Sequence, residues 1–401
     1  MRAKGRVMVA MSGGVDSSVT AYLLKQQGYE CIGATMYLHD AANAPEAPGK
    51  RCCGLADIQD AQAVCMRLGI PHTTIDFREE FAADVIDKFV RTYESGATPN
   101  PCIDCNRYLK FDALLDAALD MGCDYLATGH YARVTRDRSG AWQLKKGTDP
   151  AKEQSYVLYS LTQERLEHVL LPLGGLLKQR DVRRIAASEG LVTAAKPDSE
   201  NICFVPDDDY AGFLERKTGR AIEPGDILDE EDRVIGRHEG AVRYTVGQRK
   251  GIGIAAERPL YVKSIDTTRN TVTVAEDEGL RARTLIADDW IWSAPAAAME
   301  TELDAAEAAG GADAGMGMRV AAKIRYHQPD QACLLNWADG DALSGKTGTG
   351  GGTATTGSTE FSNRPVRIDF DAPQRAIAPG QAVVVYRGPM LLGGGTVRCS
   401  L

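Results

Sequence analysis

Residues 1–215 alternate two patterns. Short runs of β-branched and apolar residues, Val7–Ala10, Cys31–Met36, His72–Asp76 and Tyr125–Ala127, are separated by longer stretches with apolar residues at helical spacing. Those stretches are Ser17–Gln27, with Val19, Leu23 and Leu24 on one side, then Asp57–Leu68, Arg78–Glu94 and Asn106–Met121. Gly28, Gly69 and Gly122 follow three of them and supply the residue that stops a helix. Strands alternating with helices of ~10–15 residues predict an α/β fold, a doubly wound parallel sheet.

The pattern changes after Lys217. Glu223–Leu228 is a turn followed by a strand, and Tyr261–Asp266 and Thr271–Ala275 read as hairpin strands. From Asp289 onward, Arg319–Tyr326, Cys333–Trp337, Val366–Phe370 and Ala382–Tyr386 are further short strands set between Gly and Pro turns. A small β-rich central domain over 218–288 and a C-terminal β-barrel over 289–401 are therefore expected behind an α/β domain of residues 1–217. Two low-complexity insertions interrupt the last: Ala294–Met318, rich in Ala, Glu and Gly, and Gly345–Ser362, almost wholly Gly, Thr and Ser, which has too few apolar groups to pack.

Composition adds limits. With 44% hydrophobic and 25% charged residues the chain has the mix of a globular protein, and no apolar run approaches the ~20 residues of a membrane span. The N-terminus has no signal-peptide pattern, so a cytoplasmic location without membrane attachment is expected. Ten cysteines in 401 residues are too sparse for a disulfide scaffold and read as reduced thiols open to chemistry. A net charge of −9 argues against coating nucleic acid by bulk attraction, but leaves room for a local basic groove.

Two segments compete as a phosphate-binding loop. Ala10-Met11-Ser12-Gly13-Gly14-Val15-Asp16-Ser17 lies between a strand and a helix; its glycines let backbone amides turn toward an anion at the helix N-terminus. Asp16 beside a triphosphate suits a neighbour of Mg²⁺ entering with ATP rather than a fixed metal site. Gly340-Asp-Ala-Leu-Ser-Gly-Lys-Thr347 satisfies the pattern G-x-x-x-x-G-K-[ST], yet runs into Gly348-Thr-Gly-Gly-Gly-Thr where a helix should open. The second match is accidental.

Two thiols stand in marked contexts. Thr98-Pro-Asn-Pro-Cys-Ile-Asp-Cys-Asn106 puts Cys105 just ahead of the helix expected at Asn106, where free amides favour a thiolate. Asp198-Ser-Glu-Asn-Ile-Cys-Phe204 carries Cys203. Cys102 and Cys105 could form half of a zinc site, though no second C-x-x-C exists, and a cluster held by Cys102, Cys105 and Cys203 is a rival to thiol chemistry.

Ser12-Gly-Gly-Val-Asp-Ser17 resembles the PP-loop of the N-type ATP pyrophosphatases, which split ATP into AMP and pyrophosphate to adenylate a substrate oxygen. With both cysteine motifs, and with Ala127-Thr-Gly-His-Tyr131, Lys152-Glu-Gln-Ser-Tyr156, Gly247-Gln-Arg-Lys-Gly-Ile-Gly253, Lys323-Ile-Arg-Tyr326, Pro379-Gly-Gln381 and Leu392-Gly-Gly-Gly395, the chain resembles the tRNA-specific 2-thiouridylases. The resemblance implies a HUP-like catalytic domain, ATP and Mg as cofactors with an iron–sulfur cluster left as the less favoured alternative, and sulfur transfer to the wobble uridine of Lys, Glu or Gln tRNAs. A relay protein or cysteine desulfurase would donate the sulfur. Cys105 would be the nucleophile and Cys203 the persulfide carrier, the two closing to a Cys105–Cys203 disulfide. Met36 and Gly129 would join residues 10–17 at the nucleotide. Asn100, Pro101 and Cys102 would flank the target base, and His130, Lys152, Glu153, Gln154, Arg325, Tyr326 and Gln381 would touch tRNA.

Overall fold

The computed structural model describes residues 4–39, 55–198, 202–205, 208–312, 315–338, 361–362 and 364–401. The chain divides into two compact units, residues 1–87, 101–209 and 389–391 in the first and 88–100, 210–388 and 392–401 in the second.

The first unit is the expected α/β fold. Strands β1 (Arg6–Ala10), β2 (Glu30–Tyr37), β3 (His72–Asp76) and β4 (Tyr125–Ala127) form a parallel sheet in the order β3-β2-β1-β4, extended by Val169–Leu170. The first crossover is helix α1 (Val15–Gln26) and the second contains α2 (Leu55–Leu68). The centre strands read Val-Met-Val and Cys-Ile-Gly-Ala because helices cover both faces of a parallel sheet. Val7, Val9, Val19, Leu24, Val64 and Ala127 make one core cluster there. Because the chain runs from β1 outward through β2 and β3, then returns to place β4 on the other side of β1, the topology switches direction beside the C-terminal end of β1. Open α/β sheets bind ligands at that crevice.

Two helix starts differ from the sequence pattern. The stretch expected from Asn106 is helical from Pro101, through Pro101–Asp104, a wider-wound Cys105–Ala113 and Leu114–Asp120. Cys105 therefore lies a turn inside the helix rather than ahead of it. Asn100 followed by Pro101 is the reason: proline's fixed φ and missing N–H suit the first helical position, where the amide needs no partner. The Arg78–Glu94 stretch is helical as expected, with a π-wound segment Phe81–Ile86.

In the second unit, Tyr261–Asp266, Thr271–Ala275, Gly225–Leu228 and Val234–His238 form a four-stranded sheet in that order over Ile227, Val262, Val272 and Val274. Arg281–Trp292, Val366–Arg375, Gln331–Trp337, Met318–Lys323, Ala382–Arg387 and Met390–Ser400 close into a barrel, the last strand pairing back to the first. Trp290, Trp292 and Tyr386 are buried within this region. The Ala294–Met318 stretch is not structureless: Ala296–Ala308 is a helix, burying Met299 and Leu303, and its Asp304 accepts the Trp337 indole N–H at 2.8 Å. Its alanines, glutamates and leucine are strong helix formers, which outweighs their low complexity. The residues 345–360 of the second expected insertion, and the Gly340–Thr347 segment, lie outside the described residues.

Candidate active site

The loop after β1 is shaped for an anion. Gly13 has φ +67°, and a Cβ there would sit 2.3 Å from the Asp57 carbonyl oxygen, so only glycine fits. No side chain caps the first turn of α1 at Gly14, which leaves amides at the positive helix end turned outward. Inside the loop the Ser12 amide donates to Ser17 Oγ at 3.2 Å, while Ser17 Oγ and Ser18 Oγ donate to the Gly14 carbonyl. Gly129, beyond β4, packs so closely that a Cβ would lie 3.0 Å from the Ser17 amide. Met36, at the end of β2, is buried, and the neighbouring Thr35 hydroxyl donates to the Met11 carbonyl at 2.9 Å. Residues 10–17, Met36 and Gly129 are thus gathered on the carboxyl edge of the sheet, where an ATP triphosphate can be held by amides and the helix end.

Asp16 is bound from two sides. The Tyr131 hydroxyl donates to Oδ1 at 2.7 Å, and Lys178 Nζ meets Oδ2 at 2.7 Å. Lys178 is only 3% exposed and also pairs with Asp198 at 2.8 Å. Asp198 receives Lys152 at 2.7 Å and Arg183 at 2.9 Å as well. Burial disfavours its charge, yet hydrogen bonds from Lys152 and Lys178 win and hold the carboxyl at about 2. Desolvation first, then the Asp16 charge, pushes the Tyr131 phenol far up, so it remains a donor. A second lysine, Lys196, donates to the Gly13 carbonyl at 2.9 Å and pairs with Asp57 and Asp60 at 2.6 Å each. Each Asp16 oxygen has one of these partners and a second acceptor site left, so the carboxylate could still face a magnesium ion arriving with ATP. Among the described residues no three His, Cys, Asp or Glu side chains are grouped to hold a metal.

The marked thiols belong to the same unit. Cys102 is exposed at the first turn of the Pro101 helix, and Cys105 and Cys203 are half-buried. Phe204, next to Cys203, packs edge-on against Phe81 with ring centroids 5.7 Å apart. The Phe81–Ile86 segment in turn packs against both Pro101–Asp104 and Cys105–Ala113. The two cysteine segments are therefore linked through one aromatic contact and one helix.

Three family descriptions match along the chain: tRNA methyl transferase HUP domain over 5–207, tRNA methyl transferase PRC-barrel domain over 211–276, and aminomethyltransferase beta-barrel domain over 353–397. The chain is 43% identical over 98% of its length to the tRNA-specific 2-thiouridylase MnmA of Lachnoclostridium phytofermentans, covering 99% of that protein. It is 45% identical over 98% of its length to the namesake of Symbiobacterium thermophilum, covering 92% of it. The chain belongs to the tRNA-specific 2-thiouridylase family. A looser likeness, TM-score 0.33 and 15% identity over 54% of this chain and 50% of the other, is to the crystal structure of a 4-thiouridine synthetase–RNA complex with bound ATP, and it adds nothing to the assignment.

Within this 2-thiouridylase the remaining expected residues fall in both units. His130 is buried, its Nδ1 2.7 Å from Thr128 Oγ1, and burial followed by the Lys110 charge drives its pKa well down, so it is neutral. Lys152 is held by Asp198, Glu153 accepts the Ser155 amide at 2.6 Å, and Gln154 accepts the Tyr131 amide at 2.9 Å. In the second unit the Gln381 amide donates to the carbonyls of Thr98 at 3.2 Å and Pro99 at 3.4 Å, directly ahead of Asn100. Gly380, at φ +86°, presses its Cα side against Thr98, whose amide donates to the Pro379 carbonyl at 2.8 Å. Arg325 donates to the carbonyls of Arg375 and Ala376, and the Tyr326 ring packs on His327. Sequence reasoning missed Lys178, Asp198 as an ion-pair centre, Tyr131 and Lys196. Tyr131 ends and Asp198 begins a motif already singled out, and Lys196 stands two residues before one, whereas Lys178 lies beside none of them.

Proposed function

We propose that this enzyme thiolates C2 of the wobble uridine of tRNA in two stages, using ATP as the activating substrate. Uridine O2 attacks the α-phosphorus of Mg-ATP, forming the adenylate and expelling pyrophosphate, whose charge the amides of residues 12–17 stabilise. The terminal sulfur of a Cys203 persulfide then adds to C2 and AMP leaves, giving a C2–S–S–Cys203 bridge. Cys105 thiolate attacks the Cys203 sulfur; the bridge breaks, the second sulfur stays on C2, and a Cys105–Cys203 disulfide forms. An external thiol reduces that disulfide, and a sulfur-donor protein restores the persulfide.

The observation that supports this reading most directly is the placement of a PP-loop and both thiol segments in one α/β unit, Phe204 of the Cys203 segment packing on the helix that braces Cys105. Family membership supports tRNA as acceptor. Asn100, Pro101 and Cys102 would border the base; the 152–154 turn, His130, Arg325-Tyr326 and Gln381 would hold the RNA. Cys102 stands in the first turn of the helix that begins at Pro101, and Cys105 lies a turn further in. The test is thiolation of an unmodified wobble-uridine transcript with Mg-ATP, a persulfidated sulfur-donor protein and a thiol reductant, read as retardation on a mercury gel. A retarded band that requires ATP and disappears in Cys105→Ser and Cys203→Ser is expected; a band of wild-type intensity in either variant would refute the thiol roles.

A further inference from the structure

Two routes join the PP-loop to the 152–154 turn. One is ionic: Asp16–Lys178 at 2.7 Å, Lys178–Asp198 at 2.8 Å and Asp198–Lys152 at 2.7 Å. The other runs through Tyr131, whose hydroxyl donates to Asp16, whose amide donates to Gln154 Oε1, and whose carbonyl accepts the Gln154 amide at 3.0 Å. The two routes close a ring, all of it inside the α/β unit. Its cations are Lys152, Lys178 and Arg183. Facing them are Asp16, Asp198 and, beneath Lys178, Asp149, which accepts the Lys178 amide at 2.8 Å and the Ala151 amide at 3.0 Å. Glu153 of the turn adds a fourth carboxylate to three cations, so among the described residues of the ring no cation is spare.

That shortage has a consequence for two polyanions. A triphosphate at residues 12–17 draws on the Lys178 ammonium through Asp16. An RNA phosphate at the 152–154 turn draws on Lys152 and leaves Asp198 to rely on Lys178. We propose that Lys178 is a positioning residue through which nucleotide and RNA compete for the same cations, so that ATP weakens the hold of the 152–154 turn on tRNA and loss of pyrophosphate restores it. The proposal rests on the reading that this turn touches RNA. It gives the reaction an order: the RNA is held loosely during adenylation and tightly when only AMP remains, which is when sulfur is delivered. Linkage makes the effect reciprocal, so tRNA weakens nucleotide binding by the same factor.

The experiment measures the Kd of an unmodified tRNA transcript for the full chain, alone, with saturating Mg and a nucleotide whose α–β bridge is methylene, and with AMP. In the wild type the analogue raises the Kd about fivefold, the low end for coupled sites, and AMP leaves it unchanged. Asp198→Asn breaks the ionic route while leaving Lys178 on Asp16, and brings the ratio to one; Lys178→Met does the same, and Lys178→Arg keeps the coupling. A merely structural role would move the Kd values without moving their ratio. If Lys178→Met does not fold, Asp198→Asn alone decides. An unchanged or lowered wild-type Kd with the analogue, or a fivefold ratio surviving in Asp198→Asn, overturns the proposal. A wild-type chain that fails to bind the transcript at all sinks the thiolation reading together with this one, whereas binding without coupling sinks only the coupling.

Discussion

Two groups of ion pairs in this enzyme have the same chemistry and similar distances but different work to do. On the four-stranded sheet of the second unit, Lys263–Glu230 at 2.7 Å, Arg258–Glu276 at 3.0 Å and Arg233–Asp229 at 2.6 Å lie at the surface, each partly or largely exposed. Beside the PP-loop, Lys178 is 3% exposed and holds two carboxylates at once. Water screens the first group, so its pairs contribute little. The second group is largely out of water, where removing one partner leaves the others uncompensated. Distance alone does not separate a functional ion pair from a decorative one; burial and sharing do.

The largest effect that can break this comparison is loss of the Lys178 ammonium. Lys178→Met should cost ~3 kcal/mol of stability, because Asp16 and part of Asp198 lose their counter-ion, while Lys263→Met leaves the melting temperature where it was. Equal shifts in a thermal melt would erase the distinction. Asp198 adds a pH signature. Its carboxyl is held at about 2, below the ~3.9 of an unfolded aspartate, so its contribution is complete above ~3.9 and is lost as pH falls through about 2. Asp198→Asn should flatten that acid limb.

A smaller effect comes from His130. Its folded pKa lies well below the ~6.5 of an unfolded histidine, so stability is complete above ~6.5 and falls by about 1.4 kcal/mol per pH unit beneath it. Melts between pH 7.5 and 5.5 should show this slope, reduced in His130→Asn. The slightest perturbation is chemical. Burial pushes Cys31 and Cys65 up to about 11 and Cys333 up to about 12, while Cys102 is exposed. Brief alkylation of the native enzyme at pH 8, read by peptide mass, should label Cys102 ahead of those three; early labelling of Cys65 would show that its surroundings open.

The sequence carried the α/β half well because its signals are local. Val7–Ala10 and Tyr125–Ala127 announce strands by composition, and Gly13 announces a backbone conformation that no other residue adopts easily. Cys105 lies a turn deeper than a helix starting at Asn106 would put it, because Pro101 is suited to begin a helix and does so. Ala296–Ala308 was hidden by its simple composition, although Met299 and Leu303 are spaced to share a helical face. The ring could not be read at all. Asp16, Tyr131, Lys178 and Asp198 are far apart in sequence, and nothing in an isolated lysine says that it will be buried between two aspartates.

The comparison of buried and exposed charge matters only if the PP-loop activates a tRNA oxygen. The decisive measurement is therefore a stoichiometry: radiolabelled AMP released against 2-thiouridine formed, by nucleoside mass spectrometry, in one turnover with a wobble-uridine transcript. The account predicts one AMP per 2-thiouridine, with pyrophosphate rather than phosphate as the other product, and no AMP without tRNA. Thiolation that proceeds without AMP, or AMP release indifferent to tRNA, would contradict it.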